Sequence, residues 1–306
     1  MNALLQPLRR VKHAGLALNK SSRRNIRLLI DHSRSIYSKR FPYKYDLDRY
    51  QSFDKILRIH EASSLTFKVN HLMYSPPTDP PHSPMPSRLF LLWTGDNDLS
   101  PQRMRAIKSL RRHNTELDVV FITAENLNDV VVQGHPLHPA YEKLSYVHRS
   151  DYLRAYLMHH HGGVYSDIKD MREPWKPLID RANRDHTMWA CGLVPPDSRD
   201  LSPAFGALGS DQRTHYTRML DQRAFGFKPG SSWTDAWLSE VERRLSYFDR
   251  LLDEKRPQQP WGLNAEYPIP WTALLAQVMA PLSLKYSNHA LIDPDRAFVM
   301  HLDGHR

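Results

Sequence analysis

Two short apolar runs, RLFLLWTG at 88–95 and LDVVFIT at 117–123, stand on either side of a single helix-forming stretch. In DNDLSPQRMRAIKSLRRH, Ser100 followed by Pro101 suits an N-cap and a first helical residue. A buried strand, a helix and a second buried strand in that order predict an α/β domain built on a mainly parallel sheet. This order constrains the chain more than any bulk property. The 306 residues allow one large domain or two small ones, and 41% apolar with 25% charged residues is the balance of an ordinary globular protein.

Upstream of the first strand, SPPTDPPHSPMPS at 75–87 places six prolines in thirteen residues. Proline fixes φ and removes a backbone donor, so this stretch is expected to be an extended connector. It divides a basic N-terminal extension, residues 1–74, from a body at 88–306. Residues 1–58, expected to form a helical arm, hold 14 Lys and Arg against 4 Asp and Glu, whereas the whole chain nets +9, so the rest is close to neutral. A basic arm attracts anionic surfaces, an anionic membrane among them, and the bland alternative is a solvated arm that only aids solubility. Nucleic acid is the weaker partner, because no zinc-finger spacing and no aromatic-plus-basic RNA signature is present. Cys191 stands alone, which excludes an internal disulfide framework and points to a reducing compartment such as the cytoplasm. No apolar window is long enough to cross a bilayer, and MNALLQPLRRVKHAGLALNK lacks the apolar core of a signal peptide.

Further along, SSWTDAWLSEVERRLSYF puts Trp233, Trp237, Val241, Leu245 and Phe248 at helical spacing, as core residues. YPIPWTALLAQVMAPL predicts another helix begun near Pro270, and RAFVMHLDGHR a short final strand with a polar tip.

The chemistry concentrates in HRSDYLRAYLMHHHGGVYSDIKD at 148–170. From about Ser150 to His160 the pattern is helical, with Gly162 placed as a C-terminal cap. Asp151 and Arg154, three apart, share a face, either as a simple exposed ion pair or as a binding pair. In VYSDIK an alternating strand would turn Tyr165, Asp167 and Lys169 to one side. A carboxylate and a guanidinium grip sugar hydroxyls as acceptor and donor. A second carboxylate holds a ribose or a divalent cation beside a diphosphate, and Lys169 supplies some of the same charge.

These residues resemble the sugar-binding region of the DXD-containing glycosyltransferases, a group that takes in Och1-like and capsular-polysaccharide types. The resemblance is strongest over 88–170 and implies a GT-A-like α/β fold with helices flanking the sheet. It implies transfer of a hexose from a nucleotide-diphosphate sugar to a glycan hydroxyl, with retention. Carried over, Trp93 of LFLLWTGD would stack on the base, Asp151 and Arg154 would bind donor-sugar hydroxyls, and Tyr165 and Asp167 would complete the donor site. His301 of HLDGH would lie near the diphosphate, so Mn²⁺ or Mg²⁺ would be held by Asp167 and His301. The family's usual Trp after that late Gly is replaced by His305.

Lys169 replaces the usual second Asp of the motif. Either Asp167 and His301 hold the metal with more water, or Lys169 takes part of the metal's place as a catalytic cation beside Asp167. Asp170 would face the opposite side of a regular strand unless a bulge turned it back. Arg149 either lines the donor pocket or is a surface charge. His159, His160 and His161 occupy consecutive helical positions and fan around the axis, so they cannot converge on one ion. Cys191 is a packed small residue. The alternative to an enzyme is a non-catalytic nucleotide-sugar or glycan-binding protein whose Lys169 has ended metal-dependent transfer.

Overall fold

The computed structural model of the chain describes residues 22, 25–50, 69–74, 79–81, 83–259, 261–262 and 266–298. Its strands are β1 (Arg88–Trp93), β2 (Asp118–Thr123), β3 (Gly163–Ser166), β4 (Ala190–Leu193), β5 (Ala224–Phe227) and β6 (Ala290–Asp293). Its helices are α1 (helical through 25–40), α2 (helical at 47–50), α3 (Pro101–His113), α4 (Tyr146–His160), α5 (Lys176–Arg184), α6 (Gly206–Thr214), α7 (Ser232–Glu254) and α8 (Ala276–Lys285).

The strands form one sheet in the order β2-β1-β3-β5-β4-β6. β1 is parallel to both β2 and β3, and β4 is parallel to β6. β5 runs against both of its neighbours, β3 and β4. The sheet is therefore mixed: parallel pairings predominate as the sequence predicts, and β5 is the reversed exception.

Side-chain alternation along β1 feeds two cores. Leu89 and Leu91 join Ile107 and Leu110 of α3 and Leu178 of α5 on one face. Phe90 and Leu92 join Tyr152 of α4, Trp237 of α7 and Val278 of α8 on the other. Helices thus cover both faces, the α/β sandwich expected from the strand–helix–strand order. Tyr43, Tyr50, Leu72 and Met73 of the N-terminal region lie in the second cluster, so this region contributes to the same core.

Several boundaries differ from the sequence reading. Ser100 caps α3 and Pro101 begins it, as expected. The α4 helix starts earlier than Ser150, because the Ser145 side chain accepts the His148 N–H and nucleates the first turn. The α8 helix starts at Ala276 rather than near Pro270, with 271–275 in turns, and it carries Pro281 inside. The final strand expected from 296 is not formed at 296–298, and 299–306 lie outside the described residues. Instead ALID, at 290–293, pairs with β4.

Candidate donor-sugar site

The site begins at a helix-to-strand switch that only glycine fits. After α4, both Gly162 and Gly163 take positive φ, 64° and 90°. A Cβ on Gly162 would sit 2.6 Å from Pro229 Cδ, and one on Gly163 2.9 Å from the Arg88 carbonyl oxygen. The Gly162 N–H closes the helix on the Leu157 carbonyl at 3.0 Å. The chain then runs directly from the helix that carries Asp151 and Arg154 into the strand that carries Tyr165.

That strand lies beside β1, whose other neighbour is β2. The chain order reverses between β1 and β3, and in open α/β sheets the crevice past the carboxyl ends of strands at such a reversal is where ligands bind. Trp93 ends β1 and Asp167 follows β3, so both stand at this crevice. Trp93 is half-buried and its Nε1 donates to the Asn97 carbonyl at 2.8 Å, which fixes the ring edge. Thr94 donates to the Tyr146 carbonyl at 2.6 Å and ties the end of β1 to the start of α4.

Asp151, Arg154, Tyr165, Asp167 and Lys169 converge. Tyr165 OH donates to Asp167 Oδ1 at 2.9 Å and Lys169 Nζ to Oδ2 at 2.7 Å. The Arg154 guanidinium lies over the Tyr165 ring, 4.4 Å from its centroid, a cation–π geometry. Its nitrogens reach Asp151 and Asp167 only at 3.5 Å, and Ser150 Oγ and the Gln222 carbonyl at 3.4 Å. Its Nε is buried with no partner. Arg154 is thus a desolvated donor with long contacts, a state that costs free energy until oxygen ligands arrive.

The two carboxyls respond to this setting in opposite ways. Burial pushes the Asp151 carboxyl up to about 7, against the pull of Arg154 and with the help of Asp167. Burial also raises Asp167, but the Lys169 and Arg154 cations and the hydrogen bonds from Lys169 and Tyr165 outweigh it and hold Asp167 below its usual range. Near neutral pH, Asp167 is an anion and Asp151 is poised between its two forms.

The strand geometry expected for 164–169 holds only to Ser166. Beyond it the chain turns, with the Lys169 N–H donating to the Asp167 carbonyl at 2.7 Å. Lys169 still reaches Asp167, through a tight turn rather than strand alternation. From α3, Arg103 donates to the Ile168 carbonyl and Ser109 to Asp170. Asp170 is thus engaged by α3, and no bulge brings it to Asp167.

The described residues do not fit a divalent cation. An ammonium already sits on Asp167 Oδ2, the second carboxylate of the motif is absent, and Asp170 is bonded to Ser109. Among the described residues no three His, Cys, Asp or Glu side chains are grouped to hold a metal. His301, the other expected ligand, lies outside the described residues.

Other candidates fall elsewhere. Arg149 does not join the cluster, because it pairs with Glu142 at 3.1 Å and lies over the rings of Tyr141 and Tyr146. The three histidines diverge as the helical geometry requires. His159 meets Thr234, His160 packs on His135 and Tyr156, and His161 meets the Val130 carbonyl. Cys191 is fully buried, and burial pushes its thiol up to about 12, which makes it inert.

Two residues reach the site without a sequence signal. The Arg223 carbonyl accepts the Asp167 N–H at 2.7 Å, because β5 is paired with β3 through Ser166 and Ala224. Phe298 lies between the cations, its ring centroid 5.4 Å from Lys169 Nζ and 5.7 Å from Arg223 Cζ. Only the sheet register and the chain's return brought them here.

Residues 100–185 match the sequence profile of a family described as the glycosyltransferase sugar-binding region containing a DXD motif. Over this stretch the chain is similar to the sugar-binding region of DXD-containing glycosyltransferases. Asp151, Arg154, Tyr165, Asp167 and Lys169 all fall within the matched residues. One similar solved structure is the PaToxG glycosyltransferase, with 13% identity over 76% of this chain and 77% of that one, at a TM-score of 0.39. No curated protein matches the chain.

Proposed function

We propose that this glycosyltransferase moves a hexose from a nucleotide-diphosphate sugar to a hydroxyl of a glycan acceptor, with retention, as in the synthesis of capsular or other cell-surface polysaccharide. Residues 88–306 form the transferase domain in this reading. The observation that carries it is Arg154, stacked on Tyr165 between Asp151 and Asp167 with long contacts and a partnerless Nε. Such a group suits hydroxyls that donate to the carboxylates and accept from the guanidinium.

Trp93 stacks on the base, and Asp151 and Arg154 orient the sugar. The bond from the anomeric carbon to the diphosphate oxygen breaks, and its electron pair leaves with the diphosphate. The Lys169 ammonium stabilises that charge, held in place by Asp167 at 2.7 Å. The acceptor hydroxyl bonds to the anomeric carbon on the face just vacated, and its proton passes to the departing diphosphate. Among the described residues, no side chain at the site is an apparent covalent nucleophile.

A second reading, a nucleotide-sugar-binding protein without transfer, is favoured by the same Lys169–Asp167 pair, which closes the motif's carboxylate. Donor hydrolysis by the purified protein against a panel of UDP- and GDP-sugars, with Mn²⁺ and with EDTA, separates the two. Turnover of one donor that is lost in Asp167→Ala establishes transfer chemistry. Specific binding without turnover, even with candidate acceptors, establishes the binding protein. No binding of any donor overturns both.

A further inference from the structure

Helix α1 is amphipathic in the reverse sense. Its inward face is polar: Asp31 and Ser38, seven residues apart, are buried against the body. Asp31 accepts from Ser198 Oγ at 2.9 Å and from Arg34 at 3.0 Å, and Ser38 bonds His215 Nδ1 at 3.0 Å. The opposite face carries Ile26, Leu29, Ile30 and Tyr37, at helical spacing and between 44 and 67% exposed. With Phe41 they line a groove of about 960 Å³ between α1 and α6. Fully burying side chains of this size is worth roughly 1.5–3 kcal/mol each, so a face this apolar calls for a partner.

Charge says which partner. Arg27, Lys39, Arg40 and Lys44 are exposed and form no ion pair among the described residues. The one acid between 25 and 44 is Asp31, which is turned to the body. The 24 residues before Asn25 add six Lys and Arg and no Asp or Glu. Asp46 and Asp211 line the same groove, and both accept from Arg49. An apolar stripe flanked by cations, with the helix's own acid facing away, is the pattern of a helix lying in the headgroup layer of an anionic bilayer. No helix among the described residues is long and apolar enough to cross a membrane. We infer that α1 is an interfacial anchor that lays its Ile26–Tyr37 face on an anionic lipid surface, independently of what the donor site transfers.

The test is sedimentation of the full chain with phosphatidylcholine vesicles, with and without phosphatidylserine, at low and raised salt. Binding should require phosphatidylserine, weaken with salt, and fall at least about tenfold when Leu29 and Ile30 are both changed to Glu. Both side chains point away from the Asp31–Ser38 face, so far-ultraviolet circular dichroism and donor turnover should be unchanged and rule out misfolding. A second measurement uses Leu29→Cys labelled with an environment-sensitive dye, since Cys191 is buried and does not compete. Its emission should shift to the blue on anionic vesicles only. Three outcomes overturn the inference: no binding to anionic vesicles, binding that survives the double variant, or equal binding to neutral vesicles. A dimer that the double variant dissociates, with no vesicle binding in either form, would assign the face to a second copy instead.

Discussion

Two clusters in this molecule are built from the same chemistry and serve opposite ends. On α7, Glu240 accepts from Arg243 and Arg244 at 2.7 to 2.9 Å and from His71 at 3.1 Å, and Arg244 reaches the Ala273 carbonyl at 2.6 Å. Burial raises the Glu240 carboxyl, but His71 and the two guanidiniums outweigh it and hold it well below the usual carboxylate range. At the donor site, Arg154 lies 3.5 Å from each of its carboxylates, and burial wins at Asp151. The α7 cluster has short contacts and ties α7 to the segment before α8. At the donor cluster Lys169 and Tyr165 hold Asp167 closely, but Arg154 is left wanting ligands, and a binding site consists of such unmet demand.

Substitutions should separate the two. Removing Arg244 with Arg244→Met leaves Glu240 buried beside an apolar chain and should cost about 3–5 kcal/mol in urea unfolding. Turnover per folded molecule should stay the same. Asp167→Ala should instead cut donor turnover per folded molecule by ~10³, about 4 kcal/mol in the barrier. If the two variants exchanged phenotypes, the distinction between a closed and an open cluster would be lost.

Asp151 gives the next largest effect, about 4 kcal/mol. Its folded carboxyl titrates near 7 against an ordinary 3.8, so its contribution is fully present below 3.8 and is lost as pH rises through 7. Asp151→Asn should therefore stabilise the protein at pH 8, lose that advantage by pH 4, and bind donor poorly throughout. Urea unfolding at several pH values reads this directly.

His148, one turn before Asp151, has the opposite sign. It is buried against Tyr267, and burial lowers it from 6.5 to about 4. Its contribution is present above 6.5 and is lost as pH falls towards 4, up to about 3 kcal/mol. His148→Gln should flatten that limb of the stability profile. The smallest effect concerns the cation. EDTA should change wild-type turnover by less than about twofold if Lys169 supplies the positive charge a metal would otherwise give.

The sequence made β1, α3, β2 and α7 legible because each carries its own periodicity over many residues. It hid β4, β5 and β6, which are four residues each. ACGL and AFGF are buried throughout, show no alternation and contain glycine, so their strand state comes from the neighbours they join. At the site, Asp151 and Arg154 were legible from helical spacing, and Asp167 and Lys169 from the motif. The turn after Ser166 was not, because Arg103 and Ser109 of α3 impose it from outside the segment. Arg223 and Phe298 were silent for the same reason.

The reversed strand β5 has a consequence for when the protein becomes competent. Before it inserts, the other strands make two separate pieces, β2-β1-β3 and β4-β6, and β5 alone joins them. Its start also brings Arg223 to Asp167. Four residues, far downstream of the helix that carries Asp151 and Arg154, therefore close the sheet and the candidate site in one non-local step, the kind whose loop-closure entropy slows folding. A nascent chain emerging from the ribosome would display the whole motif before the cluster around Asp167 is complete. The unpaired edge of β3 would need shelter until β5 arrives.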